Sequence, residues 1–344
     1  MNKRALLIGN GINLLDSSQS VSWGDLLAEL RRNFGISVEI DNEFKPFPLG
    51  FEEMIFEKRG SLSTGGKIKN LKQEIRQIIE RQIDGKNGYN SFHKKIMSVK
   101  YDDFLTTNYD YALEQSAIIN FTKEKSKYAL DRREVKYSLK RRYSFFHEDL
   151  RKTVWHIHGE LSNSRNISNE GKNYKEESIM IGYRHYASYL EKIQEAVKGK
   201  RNRKKTEEQG IVRRLKSNNS TLYYWTDIFF THDLDIVGFG MDFSENHLWW
   251  LLNHRANLIR NNLSESAVID NKIRFYYPDK QDNYTRVIDE KETLEKRIKR
   301  INFSKKSKAI ADVLKSFKVT PVAIQCVSYN DFYTKFLNAV KLQT

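Results

Sequence analysis

Arg4-Ala5-Leu6-Leu7-Ile8-Gly9-Asn10-Gly11-Ile12-Asn13 is the segment on which the fold turns. Its apolar residues run from Ala5 to Ile8 without alternation. A strand with one wet face alternates, whereas a strand buried on both faces of a parallel sheet does not. Gly9-Asn10-Gly11 then breaks the run and removes two β-carbons at a strand-to-helix turn. Such a turn lets backbone N–H groups approach a pyrophosphate, and the start of a helix favours its charge. A plain tight turn needs the same glycines, and Leu14 holds the position of the third glycine of a dinucleotide fingerprint. Both readings stay open on this segment alone.

The same design recurs along the chain. Tyr101–Thr106 reads as a buried strand that exits into Thr107-Asn108-Tyr109-Asp110, with a helix beginning there. Val154–Ile157 ends at His158-Gly159, and Asp235–Val237 ends at Gly238-Phe239-Gly240. Ser178–Ile181, Ile273–Tyr277 and Val322–Val327 complete the expected strands. Between them, Trp23–Phe34 carries apolar residues at helical spacing and stops at Gly35, and Lys67–Ile83 reads as a more polar helix. Asp242 and Glu245 form a plausible capping box for a helix carrying Leu248, Leu251 and Leu252. Strands alternating with helices predict an α/β, Rossmann-like fold. Its sheet is mostly parallel and covered by helices on both faces, with Arg4–Ile8, Tyr101–Thr106 and Asp235–Val237 adjacent at the centre. Residues 1–344 are expected to form a single domain. Basic insertions at 121–152 and 191–230 interrupt the rhythm and are expected to be helical, forming a small subdomain over the pocket mouth or at an oligomer contact.

Composition narrows the class. The chain has 344 residues, of which 39% are hydrophobic and 30% charged, and its 19 Phe and 18 Tyr can offset the entropy of ordering. Cys326 is the one cysteine, which excludes a disulfide framework within the chain and a four-cysteine zinc ribbon. No stretch of about 20 apolar residues occurs, and Ala5–Ile8 is too short for the core of a signal peptide, so no membrane association and a cytoplasmic location are expected. The net charge of +15 is concentrated in Arg132–Lys152 and in Lys198–Lys216. Charge runs usually mark solvated helix faces or mobile insertions. The second run is also a candidate surface for nucleic acid.

Ligands of doubly wound sheets bind at the carboxyl ends of the strands, so the four exits should converge on one crevice. There Asn108 can hold a ribose hydroxyl or a water, or it can cap the next helix. Asp110 can bond an amide such as that of nicotinamide. His158 can serve as a general base near neutral pH, or it can be structural. His156 points to the opposite face of its strand. That split makes a zinc site built on His156 and His158 a poor reading, and no metal is expected.

Together these motifs resemble the sirtuin superfamily, and more closely its bacterial sirtuin-like branch of antiphage defence. Gly9-Asn10-Gly11-Ile12-Asn13 is similar to that family's Gly-Ala-Gly-Ile-Ser opening, and Ser22-Trp23-Gly24-Asp25-Leu26-Leu27 to the branch's following segment. Thr107-Asn108-Tyr109-Asp110 is similar to Gln-Asn-Ile-Asp, His158-Gly159 to the catalytic His-Gly, and Gly238-Phe239-Gly240 to a later cofactor loop. The opening also resembles abortive-infection proteins of the AbiH type. The resemblance implies NAD as substrate, with Asn108 and His158 catalytic. Gly9, Asn10, Gly11, Asn13, Thr107, Asp110, Gly238, Phe239 and Gly240 would then bind the dinucleotide. The deacylases' zinc-ribbon cysteines and Pro-Asp-Phe-Arg-type segment are missing, which favours an NAD glycohydrolase of abortive infection over a protein deacylase. A catalytically inactive nucleic-acid-binding or scaffold protein is the third reading. Such a hydrolase needs a gate, so a homo-oligomer, a partner ATPase or a bound nucleotide is expected.

Overall fold

The computed structural model describes residues 3–15, 22–36, 45–57, 64–83, 89–121, 138–147, 150–161, 179–200, 205–217, 221–261, 269–279 and 294–342. Among these residues seven strands form one sheet: β1 (Lys3–Ile8), β2 (Asp103–Thr106), β3 (Arg142–His147), β4 (Leu150–His156), β5 (His232–Val237), β6 (Ile273–Asp279) and β7 (Val319–Gln325). Their order is β3-β4-β2-β1-β5-β6-β7, and every pairing is parallel except β3 with β4. The three strands expected at the centre are adjacent there. The sheet is the mostly parallel, Rossmann-like one that the unalternating segments predict.

Period-2 geometry explains why those segments are apolar throughout. Leu6, Ile8 and Phe104 point into one hydrophobic core, whereas Ala5, Leu7, Leu105, Leu234 and Ile236 point into a second core on the other face. Among the described residues six helices cover the first face: α1 (Trp23–Asn33), α2 (Phe47–Glu57), α3 (Thr64–Ile83), α4 (Ser91–Met97), α5 (Ala112–Phe121) and, later in the chain, Tyr329–Lys341. The second face is covered by α6 (Tyr183–Lys198), α7 (Ile211–Lys216), α8 (Ile228–Thr231), α9 (Asn246–Asn261) and α10 (Leu294–Ser316). The terminal helix Tyr329–Lys341 is therefore α11. Local signals set the ends of α1. The Ser22 hydroxyl accepts from the Asp25 N–H at 3.2 Å, and Gly35 takes the left-handed conformation just past the last turn.

Several sequence expectations change. The basic stretch 121–152, expected to be helical, ends in a β-hairpin, since Arg142–His147 pairs antiparallel with Leu150–His156. Tyr143 and Phe145 alternate into the core, a strand pattern that the neighbouring Lys140, Arg141 and Arg142 disguised as a charge run. Residues 122–137 of that stretch lie outside the described residues. Residues 179–181 are not a strand. Met180 donates one backbone bond to the His158 carbonyl and the segment then turns into α6. Asp242 does not box-cap the helix with Glu245. It folds the turn ahead, accepting from the Ser244 N–H at 2.9 Å, and α9 starts at Asn246.

The insertion at 191–230 is helical in part where it is described, through the end of α6, α7 and α8, with an isolated bridge between Gly199 and Gln209. Its basic run is not simply a solvated face. Arg214 is 1% exposed and grips Asp227 with both guanidinium nitrogens, at 2.9 and 2.5 Å. This ion pair joins α7 to the start of α8, with the Tyr223 ring against the guanidinium.

Candidate active site

Register places the two best candidate residues at one level. Thr106 of β2 pairs with His156 of β4, and the Ile157 N–H donates to the Thr106 carbonyl. Asn108 and His158 each follow two residues later, at the carboxyl ends of neighbouring parallel strands. Alternation separates the two histidines, as strand geometry requires. His156 packs edge-on against Tyr111 and Tyr143. Its Nε2 lies 2.6 Å from Glu114 Oε1, and its Nδ1 lies 3.2 Å from the Asn108 carbonyl. His158 turns the other way, against Tyr186, Phe239 and His247.

His158 opens onto a cavity of about 640 Å³, a volume suited to a cofactor-sized ligand. Trp23, Phe47, Tyr183, Tyr186 and Phe239 supply flat apolar walls, and Lys45, Lys306, Asp242 and Glu245 bring charges of both signs. Both lysines are paired, with Glu53 and Asp242 respectively. Thr107 lines the same cavity. Its Oγ1 is buried with no hydrogen-bond partner among the described residues, and so is Oδ1 of the neighbouring Asn108. A buried polar atom without a partner costs about 1–3 kcal/mol, so two adjacent ones at a strand exit mark a place where a ligand can supply the missing bonds.

The glycines have a different explanation. Gly11 donates its N–H to the Gly238 carbonyl at 3.0 Å, so the exits of β1 and β5 cross backbone to backbone. A β-carbon on Gly9 or Gly11 would come within 2.6 or 2.9 Å of that carbonyl oxygen. Gly238 itself has φ +62, and a β-carbon there would run into the Tyr333 hydroxyl. This crossing alone accounts for three of the glycines. Gly240, by contrast, has open space where a β-carbon would sit, and Phe239 between the two contributes its ring to the cavity. Gly238→Ala should lower stability by at least about 1–3 kcal/mol, through backbone strain and overpacking together. A denaturation midpoint unchanged from the parent would refute that account.

Asn10, Asn13 and Asp110 bond to one another. Asn13 Nδ2 donates to Asp110 Oδ2 at 2.7 Å and to Asn10 Oδ1 at 2.9 Å, and Asp110 Oδ1 accepts from the Ala112 N–H at the start of α5. Of the residues expected to contact a dinucleotide, Thr107, His158 and Phe239 line the cavity, and Asn108 adjoins it through Thr107.

Residues 102–223 match the model of the SIR2-like domain family. That span holds β2 and β4 with both exits, Thr107-Asn108 and His158-Gly159. Over that span the chain is similar to the SIR2-like domain family. No curated protein matches the chain. The family match bears on the sirtuin resemblance and not on the AbiH one. The match supports an NAD-using enzyme family in general, and no helix among the described residues is long and apolar enough to cross a membrane.

Sequence reasoning missed two residues of the pocket. His247 is fully buried, with Nε2 3.1 Å from Nε2 of His158, and burial followed by the neighbouring His158 pushes its pKa well down. Glu245 lines the cavity, with Oε2 3.3 Å from Nε2 of His158. The one available signal was a histidine on the inward stripe of α9, four residues before the buried Leu251.

Two other histidines should give the fold a pH optimum. Burial opposes a charge on His156, but the Glu114 carboxylate outweighs it and holds the pKa at about 9. Its stabilising contribution is complete below the ordinary value of 6.5 and is lost as pH rises through about 9. Burial alone lowers His93 to about 3, so acidification below 6.5 disfavours the folded state, which binds fewer protons there than the unfolded chain. Melting temperature should therefore fall on both sides of about pH 6.5. His156→Gln should flatten the alkaline limb, and an alkaline limb of undiminished slope in that variant would contradict the assignment.

Proposed function

We propose that the chain is an NAD glycohydrolase, which cleaves the nicotinamide–ribose bond to give nicotinamide and ADP-ribose. The observation that carries this reading is the pair of unpartnered buried atoms, Thr107 Oγ1 and Asn108 Oδ1, at the level of His158 on neighbouring strand ends. Nicotinamide leaves as a neutral base from a cationic pyridinium, so no general acid is needed. The site has to hold the ribose, tolerate an oxocarbenium-like centre and admit one water. Thr107 and Asn108 hold the ribose hydroxyls or the water. The C1′–N bond breaks, the water oxygen bonds to C1′, and His158 accepts the proton that the water gives up. The aromatic walls stack on the planar rings, and Lys45 and Lys306 face the phosphates.

A role as an effector of abortive infection follows from the resemblance to the defence branch, and it calls for a gate. Assembly into a homo-oligomer, a partner ATPase or a bound nucleotide would supply one. The test is incubation of the purified chain with NAD, alone and with proteins encoded beside it, followed by chromatography of the products. Nicotinamide and ADP-ribose formed without any acylated peptide are the expected result. Strict dependence on an acylated peptide would replace this reading with deacylation. A chain that never consumes NAD, yet binds nucleic acid salt-dependently after pocket substitution, would replace it with a scaffold role.

A further inference from the structure

His158 Nε2, His247 Nε2 and Glu245 Oε2 converge at the inner wall of the cavity. The two Nε2 atoms are 3.1 Å apart, and Glu245 Oε2 is 3.3 Å from His158 Nε2 and 3.8 Å from His247 Nδ1. One ligand atom from each residue can be chosen so that all three lie within 4.8 Å of one another. Hydrogen bonding alone does not satisfy this cluster. A bond between the two Nε2 atoms needs a proton on one of them. If His247 carries it there, its Nδ1 is a bare acceptor in the core. If His158 carries it, His247 bears its own proton on Nδ1, where nothing accepts it. Nδ1 of His247 and Oε2 of Glu245 are both buried without a hydrogen-bond partner among the described residues.

We propose that His158, Glu245 and His247 form a binding site for a zinc-class divalent metal ion, with a fourth coordination position open to the cavity. Two imidazoles and one carboxylate suit zinc, whereas calcium and magnesium favour all-oxygen sets. Spacing agrees as well, because ligands about 2.0–2.1 Å from a tetrahedral ion sit about 3.3 Å apart. Three protein ligands with one open position is the arrangement of an accessible zinc site rather than a closed structural one. The ligands come from two elements far apart in sequence, the exit of β4 and the start of α9. This is why spacing along β4 gave no sign of the site. The metal takes the Nε2 lone pair of His158. On the glycohydrolase reading above, a filled site is therefore a silenced one.

The test loads the full chain, first stripped with a chelator, by dialysis against zinc or cobalt(II). Elemental analysis should find a single metal per chain, and cobalt should show the intense visible bands of a four-coordinate nitrogen and oxygen site. Glu245→Gln and His247→Gln should each lose the metal while melting as folded proteins. An unaltered chain that retains no metal overturns the proposal whether or not the variants fold, as does equal loading in both folded variants. NAD turnover is read separately. Suppression by zinc in step with occupancy supports silencing, and undiminished turnover by the loaded chain overturns it. A chain that binds the metal but never cleaves NAD leaves the site standing and removes the glycohydrolase reading instead.

Discussion

His158→Ala should lower NAD cleavage by about 10²- to 10⁴-fold, the usual contribution of a positioned general base. The fold should survive, because the side chain opens onto a cavity and its loss frees space there. Asn108→Ala should give a loss of the same order by removing the carboxamide at the neighbouring strand exit. His156→Ala, two residues away on the same strand, should behave in the opposite way. It leaves Glu114 in the core with its partner gone, and breaking a buried pair in this manner typically costs about 3–5 kcal/mol. Turnover and thermal melting measured together on the three variants separate the two roles. Activity that disappears with His156 at unchanged stability, and persists without His158, would reverse the assignment of the base.

Asp227→Ala should destabilise the protein by about 3–5 kcal/mol, the cost of leaving a buried guanidinium unpaired. Arg214 and Asp227 are each 1% exposed at the side chain, so solvent cannot stand in for the lost carboxylate. Asp227 also accepts the backbone N–H groups of Tyr223 and Tyr224, at 3.0 and 3.2 Å, so the turn before α8 loses its anchor as well. α8 feeds directly into β5, and the disturbance reaches the sheet centre. Replacing both members, Arg214→Met with Asp227→Leu, should cost less than Asp227→Ala alone, because no charge is left stranded. A double variant less stable than the single one would mean that the ion pair is not the source of the effect.

The sheet was legible in the sequence because its central strands are buried on both faces. Their unbroken apolar runs and polar or glycine exits signal strand centre and strand end at once. β3 was hidden because it is an edge strand whose flanks carry Lys140, Arg141 and Arg142, and local charge masked the alternation of Tyr143 and Phe145. Of the site, Thr107, Asn108 and His158 were legible from their place at strand ends. The glycines were noticed for the right property, lack of a β-carbon, yet what approaches them is another stretch of this chain. His247 and Glu245 were invisible because their meaning depends on a tertiary contact between α9 and the end of β4. Arg214 was misread for the same reason: its partner lies beyond α7, and composition cannot tell a paired arginine from a solvated one.

Strand β1 finds its neighbours late. Ala5 pairs with Asp103 on one side, and Lys3 pairs with His232 on the other. A ribosome adds about 5–20 residues per second, so the first strand waits many seconds for its second edge to be made. Until then it presents an apolar ribbon with open backbone groups, the kind of surface that chaperones hold and that neighbouring nascent chains can join. The family-matched span 102–223 contains neither β1 nor β5, so it cannot close the sheet on its own. Expressed alone, that span should aggregate or be degraded. Truncation studies of this protein therefore have to keep the first strand and everything through residue 237 together.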